Sequence, residues 1–516
     1  MNHIELFAGC GGLSIGMEAA GFKLLMANEL SPMAAETFSF NILKENLREI
    51  ETPENVVWLS SAHSTLENRL RENPFTYPDL GSGVSDLVGG QVDLNGKLVV
   101  ANIAHFNQLL AEDKYYNKNF DGSFYGEEVD VVSGGPPCQS FSMAGLRKKD
   151  CDKNTLPFEF CNFVERVKPK LVLLENVSGI LRAFTQDGEK HYAWFEVAKA
   201  FALIGYIPVC LHVNARYAGV PQNRPRFILI GIRENEFERL RPNFNTAENQ
   251  LFAPSLLLRE RMLSNQLVEV GEYVCFDYQK ETHLTLLHET FLKELFSCPE
   301  VTVAEAIGDL LPNSKGVSEY VQSLNHRYGF LDPNNGITNN ELRNHGDFVK
   351  MRFRLYQLLN MTNKAVRTQV LKVLRGKETF IYAEAWAELS KFKYYLGDGH
   401  FAQFTNLDDF ISYLEKLKTK KHSQKALLAD EPAPAALSIP DDFCHYDESQ
   451  LRTLTIREMA RIQSFPDMFC FRSKVTTGGK QRQYEVPQYT QVGNAVPPNL
   501  GYKLGQSLRL LLERGS

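Results

Sequence analysis

Val129-Asp130-Val131-Val132-Ser133-Gly134-Gly135-Pro136-Pro137-Cys138-Gln139-Ser140-Phe141-Ser142 is the stretch from which the rest of the chain is best read. The apolar run Val129–Val132 predicts a buried strand. Two glycines and two prolines then stop the strand and stiffen the turn. A cysteine on a rigid turn at a strand's end is presented to a cleft and suits a nucleophile, provided its surroundings favour the thiolate. The plainer alternative is a small buried cysteine, the usual fate of a free thiol. Gly-Gly-Pro-Pro-Cys-Gln is more constrained than core packing requires.

Similar runs recur at helix-length intervals on either side: Ile4–Phe7, Leu24–Asn28, Leu98–Ala101, Leu171–Leu174 and Phe227–Ile232. Runs apolar on both faces predict an α/β fold with a mostly parallel sheet covered by helices. Ligands of such sheets bind at the carboxyl ends of the strands. Gly9-Cys10-Gly11-Gly12 and the Cys138 turn both fall there, as does Glu175, directly after Leu171–Leu174. Glu175 can serve as a general acid or as half of a simple ion pair. Glu29 closes the second run at the offset of a ribose-binding carboxylate, or is an ordinary surface charge. Arg224 and Arg226 alternate on an extended segment, so they face one side. They suit a carboxylate, phosphate or carbonyl partner, with a structural ion pair as the alternative for one of them. Thr455–Pro466 reads as a capped helix, and Gln491–Pro498 as a loop able to close over a ligand.

From about Glu234 to Gln450 the strand–helix rhythm is lost, and a second, smaller α+β domain is expected there. The expected domains are 1–242, with an insertion at about 52–95, then 243–484, then 485–516 returning to the first. The chain has 516 residues, 43% hydrophobic and 23% charged, which is ordinary for a globular protein. No apolar run approaches the ~20 residues of a membrane span, and Met1 leads almost directly into a strand, leaving no room for a signal peptide. Nine cysteines without a Cys-x-x-Cys pair favour reduced thiols, a cytoplasmic setting and no metal site. The net charge of −6 argues mildly against a nucleic-acid partner, but an acidic protein can still line one cleft with Lys and Arg. Arg147-Lys148-Lys149 and Lys416–Lys425 are candidates.

Taken in order, these motifs resemble the cytosine-5 DNA methyltransferases of the bacterial restriction–modification type, over about residues 1–50, 97–240 and 450–512. The resemblance carries on Phe7-Ala8-Gly9-Cys10-Gly11-Gly12, Asn28-Glu29, Gly134–Ser142, Glu175-Asn176-Val177, Gln222–Arg226, Arg457–Pro466 and Gly493–Pro498. It implies a Rossmann-like S-adenosylmethionine-dependent methyltransferase domain and a target recognition domain. It implies methyl transfer to C5 of a flipped-out cytosine in duplex DNA, leaving S-adenosylhomocysteine. Cys138 would be the nucleophile, Glu175 the acid, Arg226 a contact to the base carbonyl, and Arg224 a support for the carboxylate or a phosphate. Phe7, Gly9, Gly11, Gly12, Glu29, Pro136 and Asn494 would form the cofactor site. Gln139, Ser140, Ser142 and Arg147 would lie on a loop over the DNA. A partner endonuclease or defence system on the same site, a nucleoid-associated location and a monomeric state are also implied. The family usually carries an acidic residue where Asn102 stands, so that adenine contact would lack charge assistance. A transfer-RNA cytosine methyltransferase and a non-catalytic regulatory homologue share the core. The first carries a Cys-Phe-Thr signature not found here, and the second tends to lose the Cys or Glu.

Overall fold

A computed structural model describes residues 1–87, 93–111, 122–137, 156–186, 189–314, 316–329, 337–421, 423–435 and 440–514. Nine strands form its main sheet: β1 (Asn2–Leu6), β2 (Lys23–Glu29), β3 (Val56–Trp58), β4 (Lys97–Val100), β5 (Val131–Gly134), β6 (Leu171–Val177), β7 (Tyr206–Asn214), β8 (Pro225–Arg233) and β9 (Cys275–Asp277). Their spatial order is β9-β7-β8-β6-β5-β1-β2-β4-β3. From β3 to β6 every neighbour pair is parallel. β8 runs antiparallel to β6 and β7, and β9 returns parallel to β7. The central strands are buried on both faces: Ile4, Leu6, Val131, Val132 and Leu171–Leu174 are fully inaccessible. That is why they read as unbroken apolar runs.

Each of the six runs singled out in the sequence overlaps a strand of this sheet, although Val129 and Asp130 precede β5, and Phe7 and Ala101 fall just past β1 and β4. β7 escaped the pattern because Pro208 and His212 interrupt it. Pro208 brings no N–H to the ladder, yet its carbonyl is satisfied by the hydroxyls of Tyr273, at 2.6 Å, and Ser255.

Helix α1 (Gly12–Ala19) follows β1, α2 (Pro32–Phe38) follows β2, and α3 (Ile103–Ala111) follows β4. The expected boundary near residue 242 falls inside the sheet-bearing half. Helix α4 (Thr246–Leu263) packs on β7, and β9 extends the sheet, because Leu251, Phe252, Phe276 and Phe291 share a core with β7 and β8. A separate core runs only from Phe353 to Cys444. It is built on α5 (Asp347–Asn360), α6 (Lys364–Leu374), α7 (Ala383–Leu389), the hairpin 394–402 and α8 (Leu407–Lys416).

The chain returns through α9 (Ile456–Ile462), α10 (Gln488–Asn494) and α11 (Pro498–Glu513). Thr455 and Glu458 form a capping box on α9, as the sequence pattern implies. Glu458 also receives both terminal nitrogens of Arg452, at 2.8 and 2.7 Å. α11 lies flush on α1: a Cβ at Gly16 would stand 2.6 Å from the Pro498 carbonyl oxygen, and one at Gly505 would stand 2.6 Å from Ala20 Cβ.

Candidate active site

The parallel strands β1, β2, β4, β5 and β6 end on one edge, where Leu6 pairs with Asn28 and Gly134, and Gly134 with Leu174. The residues just past these ends converge there. Phe7 leaves β1 with φ 55°, Gly9 has φ 56° and Gly11 has φ 95°. Phe7 pays for a left-handed backbone that is uncommon outside glycine. A Cβ at Gly9 would meet nothing within 4 Å, so this part of the turn faces open space. A Cβ at Gly12 would stand 2.3 Å from the Val496 carbonyl oxygen, so the Gly493–Pro498 loop packs directly on the glycine turn. Asn494 itself is exposed.

Glu29 Oε2 accepts the Gly9 N–H at 2.8 Å, and Oε1 accepts the Ser31 N–H at 2.7 Å. The carboxylate thus fastens the glycine turn to the start of α2. Each oxygen keeps a further lone pair. Burial pushes its pKa up, against the pull of those N–H groups. An aromatic side chain, an open glycine at Gly9 and a carboxylate with spare acceptor capacity fit an adenosyl group. Asn102 stands just past β4, but its Oδ1 accepts the Ala104 N–H at 2.9 Å and caps α3.

The second cluster joins β5, β6 and β8. The Asn176 side-chain amide donates to the Pro136 carbonyl at 2.9 Å, fixing the Pro-Pro turn to β6. Glu175 Oε2 lies so near Gly135 that a Cβ there would be 3.2 Å away. Glu175 Oε1 is 2.6 Å from Arg226 Nε, with both side chains about one-tenth exposed. Burial lowers the Arg226 pKa, and Glu175 opposes that shift. The antiparallel direction of β8 makes this possible: its start, not its end, reaches this edge, where Arg226 pairs with Val177.

The sequence expectation has Arg224 and Arg226 pointing together into the cleft. They take different partners. Arg224 is buried and donates to the carbonyls of Gly493, at 2.8 Å, and Ala495, at 3.1 Å. It clasps the loop that covers the glycine turn, because Arg224 precedes β8 and its backbone is held by Asn214 Oδ1 at 2.9 Å. Burial, then the neighbouring Arg226 charge, drives its pKa well down.

Cys138, Gln139, Ser140, Ser142 and Arg147 lie outside the described residues. Among the described cysteines, Cys10, Cys161, Cys210, Cys275 and Cys444 have thiols pushed up by burial, the reverse of nucleophile activation. Among the described residues no cluster of His, Cys, Asp and Glu could hold a metal ion, and no helix is long and apolar enough to cross a membrane. Sequence reasoning missed Gly135 as the close neighbour of Glu175. It also missed the Asn176 tether to the Pro-Pro turn, although the Glu-Asn pair in the motif could have signalled it.

A family model described as C-5 cytosine-specific DNA methylase matches residues 1–57 and 106–509. The Type II methyltransferase M.DdeI of Desulfomicrobium norvegicum is 26% identical, over 99% of this chain and 89% of its own length. M1.HphI of Haemophilus parahaemolyticus is 24% identical, over 98% and 86%. M.AgeI of Thalassovita gelatinovora is 26% identical, over 99% and 100%. Among solved structures, a candidate DNA modification methyltransferase encoded within an E. coli prophage aligns with TM-score 0.45 and 19% identity, over 99% of both chains.

Proposed function

The chain belongs to the C-5 cytosine-specific DNA methylase family, and from that premise we propose that it methylates C5 of a cytosine flipped out of a specific duplex DNA sequence, as the modification enzyme of a Type II system. The observation that carries this reading is the convergence of Gly135, three residues before Cys138 in the sequence, with Glu175 and Arg226. Two features suit S-adenosylmethionine: the open glycine turn and the Glu29 carboxylate. When bound, it supplies an electrophilic methyl group on sulfur.

The chain's own residues make the other half of the reaction. Cytosine C5 is a poor nucleophile inside an aromatic ring. Addition of the Cys138 thiolate to C6 breaks the aromaticity. Glu175 donates a proton or hydrogen bond to N3, so the ring takes up the electron pair and C5 becomes enamine-like. Arg226, held on Glu175, reaches the base carbonyl. After C5 has taken the methyl group, the C5 proton leaves, the C6–S bond breaks and the cysteine departs as thiolate. The base is inaccessible inside the stack, so it must be flipped out. Gln139, Ser140, Ser142 and Arg147 would hold the DNA backbone around it. Phe7 would stack on adenine and Glu29 would take the ribose hydroxyls, with Gly9 giving close approach, whereas Gly11 and Gly12 face protein: a Cβ at either would stand 2.3 Å from Ile42 Cδ1 or from the Val496 carbonyl oxygen, respectively. Asn102, Pro136 and Asn494 would border the same site. Arg224 is best read as the clasp that holds the pocket closed.

Sequence choice is assigned to the separate core at about 353–444, reached through the connector at Arg343–His345. A cavity of about 390 Å³ there is lined by His345, Arg352, Lys420, Lys421 and Asp441. Asp441 is 3.2 Å from Arg343 and 2.8 Å from Lys421. Arg352 and Lys420, on the wall of this cavity, would meet a DNA phosphate. A cognate endonuclease acting on the same site and a cytoplasmic setting complete the proposal.

The test is covalent trapping. A duplex carrying 5-fluorocytosine at the target site should capture the wild-type protein in the presence of S-adenosylmethionine, because the fluorine cannot leave as the C5 proton does. Cys138→Ala should form no adduct. Tritium transfer from labelled cofactor, with duplex DNA and transfer RNA offered in parallel, separates the two substrate classes. An active enzyme that is never trapped would refute the Cys138 assignment.

A further inference from the structure

The family model leaves residues 58–105 unmatched, and within them 58–87 form a built layer outside β4. Arg69 Nη1 meets both Asp86 oxygens, at 2.8 and 2.9 Å, and Asp86 Oδ2 accepts the Trp58 N–H at 2.8 Å. Ser61 and Val84 exchange backbone hydrogen bonds of 2.9 and 2.8 Å. Glu72 Oε1 accepts the Ala62 N–H at 2.8 Å.

This layer aims one short segment, Tyr77-Pro78-Asp79, back over the sheet. The Tyr77 hydroxyl donates to the Leu30 carbonyl at 3.2 Å, one residue past Glu29. Pro78 is wedged against Gly83, where a Cβ would stand 2.9 Å from Pro78 Cγ. Asp79 Oδ1 lies 3.8 Å from His105 Nε2, one helical turn past Asn102. The segment therefore spans the carboxyl ends of β2 and β4. Its carboxylate is left largely in the open, with the Asp79 side chain 94% exposed. Asn102, three residues before His105 at the start of α3, is uncharged and already spends an oxygen lone pair on its own helix.

We propose that the Tyr77–Asp79 segment closes the adenine end of the cofactor cleft, with Asp79 accepting a hydrogen bond from the purine 6-amino group and Tyr77 positioning it. This rests on the cofactor reading above. A carboxylate suits that place because a charge-assisted bond is roughly twice as strong as a neutral one. It also discriminates. A purine with a carbonyl at C6 would set oxygen against oxygen, and a site built for an NH group rejects an analogue that cannot supply it. The 58–105 excursion then supplies, from outside the region the family model covers, the charge that Asn102 lacks.

The experiment uses the full-length protein and titration calorimetry with two probes, S-adenosylhomocysteine and S-inosylhomocysteine, in which the 6-amino group is replaced by a carbonyl. Wild type should prefer the first by tenfold or more. Asp79→Asn should narrow that ratio at least fivefold, because an amide can donate to the carbonyl. Its melting temperature should stay that of wild type, since the side chain is exposed. Tyr77→Phe, which removes only the hydroxyl, should move the ratio the same way by less. An Asp79→Asn ratio within twofold of wild type, with S-adenosylhomocysteine still bound, overturns the assignment. A wild type that binds neither probe overturns the cofactor reading and this inference with it.

Discussion

Gly135→Ala tests the proposed role of the Glu175 carboxylate separately from the fold. A Cβ at this position would stand 3.2 Å from Glu175 Oε2 and 3.6 Å from the Glu175 carbonyl oxygen, where ordinary van der Waals separation begins at 3.4 Å. Gly135 has no left-handed φ, so alanine strains no backbone there. The carboxylate must yield by about 0.2 Å, and Arg226 at 2.6 Å resists. If a 1 Å misplacement costs roughly 100-fold in rate, about 0.2 Å costs roughly 2.5-fold. Disturbing the ion pair should bring the total to between roughly 2.5-fold and about twentyfold. The assay is single-turnover tritium transfer to duplex DNA, with S-adenosylhomocysteine affinity and melting temperature measured beside it. Both should stay close to wild type, because the substitution touches neither the glycine turn nor the core. Gly134→Ala is the contrasting control. Its Cβ would stand 2.3 Å from the Leu6 carbonyl oxygen, inside the β1–β5 ladder, so it should lose fold and activity together. A folded Gly135→Ala protein with an unchanged rate would refute the placement of Glu175 as the acid.

Asn102→Asp keeps the N-cap of α3 and adds a charge at a helix start. Calorimetry should show S-adenosylhomocysteine bound as tightly or up to about fivefold tighter, and marked weakening would move Asn102 away from the adenine. Arg352→Gln with Lys420→Gln should weaken binding to target and non-target duplexes alike. Binding measured across salt concentrations should show the log–log slope falling by about 0.9 for each phosphate no longer neutralised, whereas an unchanged slope would remove the cavity from the DNA surface. Glu5, buried in β1 beside the Ser14 hydroxyl, has its pKa pushed up to about 8 by burial. The folded state therefore holds this proton more tightly than the unfolded chain does. Its stabilising contribution is complete below the ordinary glutamate range and is lost as pH rises through about 8, at roughly 1.4 kcal/mol per unit between the two values. Melting temperatures from pH 5 to 9 should fall more steeply for wild type than for Glu5→Gln, and parallel curves would show that Glu5 ionises freely.

The sequence by itself determined the parallel half of the sheet and the edge of it at which Glu29 and Glu175 lie. Strands buried on both faces must be apolar throughout, so Ile4–Phe7, Val129–Val132 and Leu171–Leu174 stand out of the chain without further help. Polar residues directly after such runs can only lie at their carboxyl ends, which located Glu29 and Glu175. The capping box at Thr455 and Glu458 was legible for the same local reason, since its partners are three residues apart. Pairings between residues distant in the chain needed the tertiary structure. Alternation along an extended segment puts Arg224 and Arg226 on one face, but it cannot say that one meets Glu175 while the other clasps the carbonyls of Gly493 and Ala495. β9 and α4 look unpatterned because they cover an edge, and an edge strand needs only three residues to pair. The Tyr77 segment is polar and short, so nothing local marks it. Its position comes from hydrogen bonds to Leu30 and the packing of Pro78 on Gly83, which exist only once β2, β3 and β4 lie side by side.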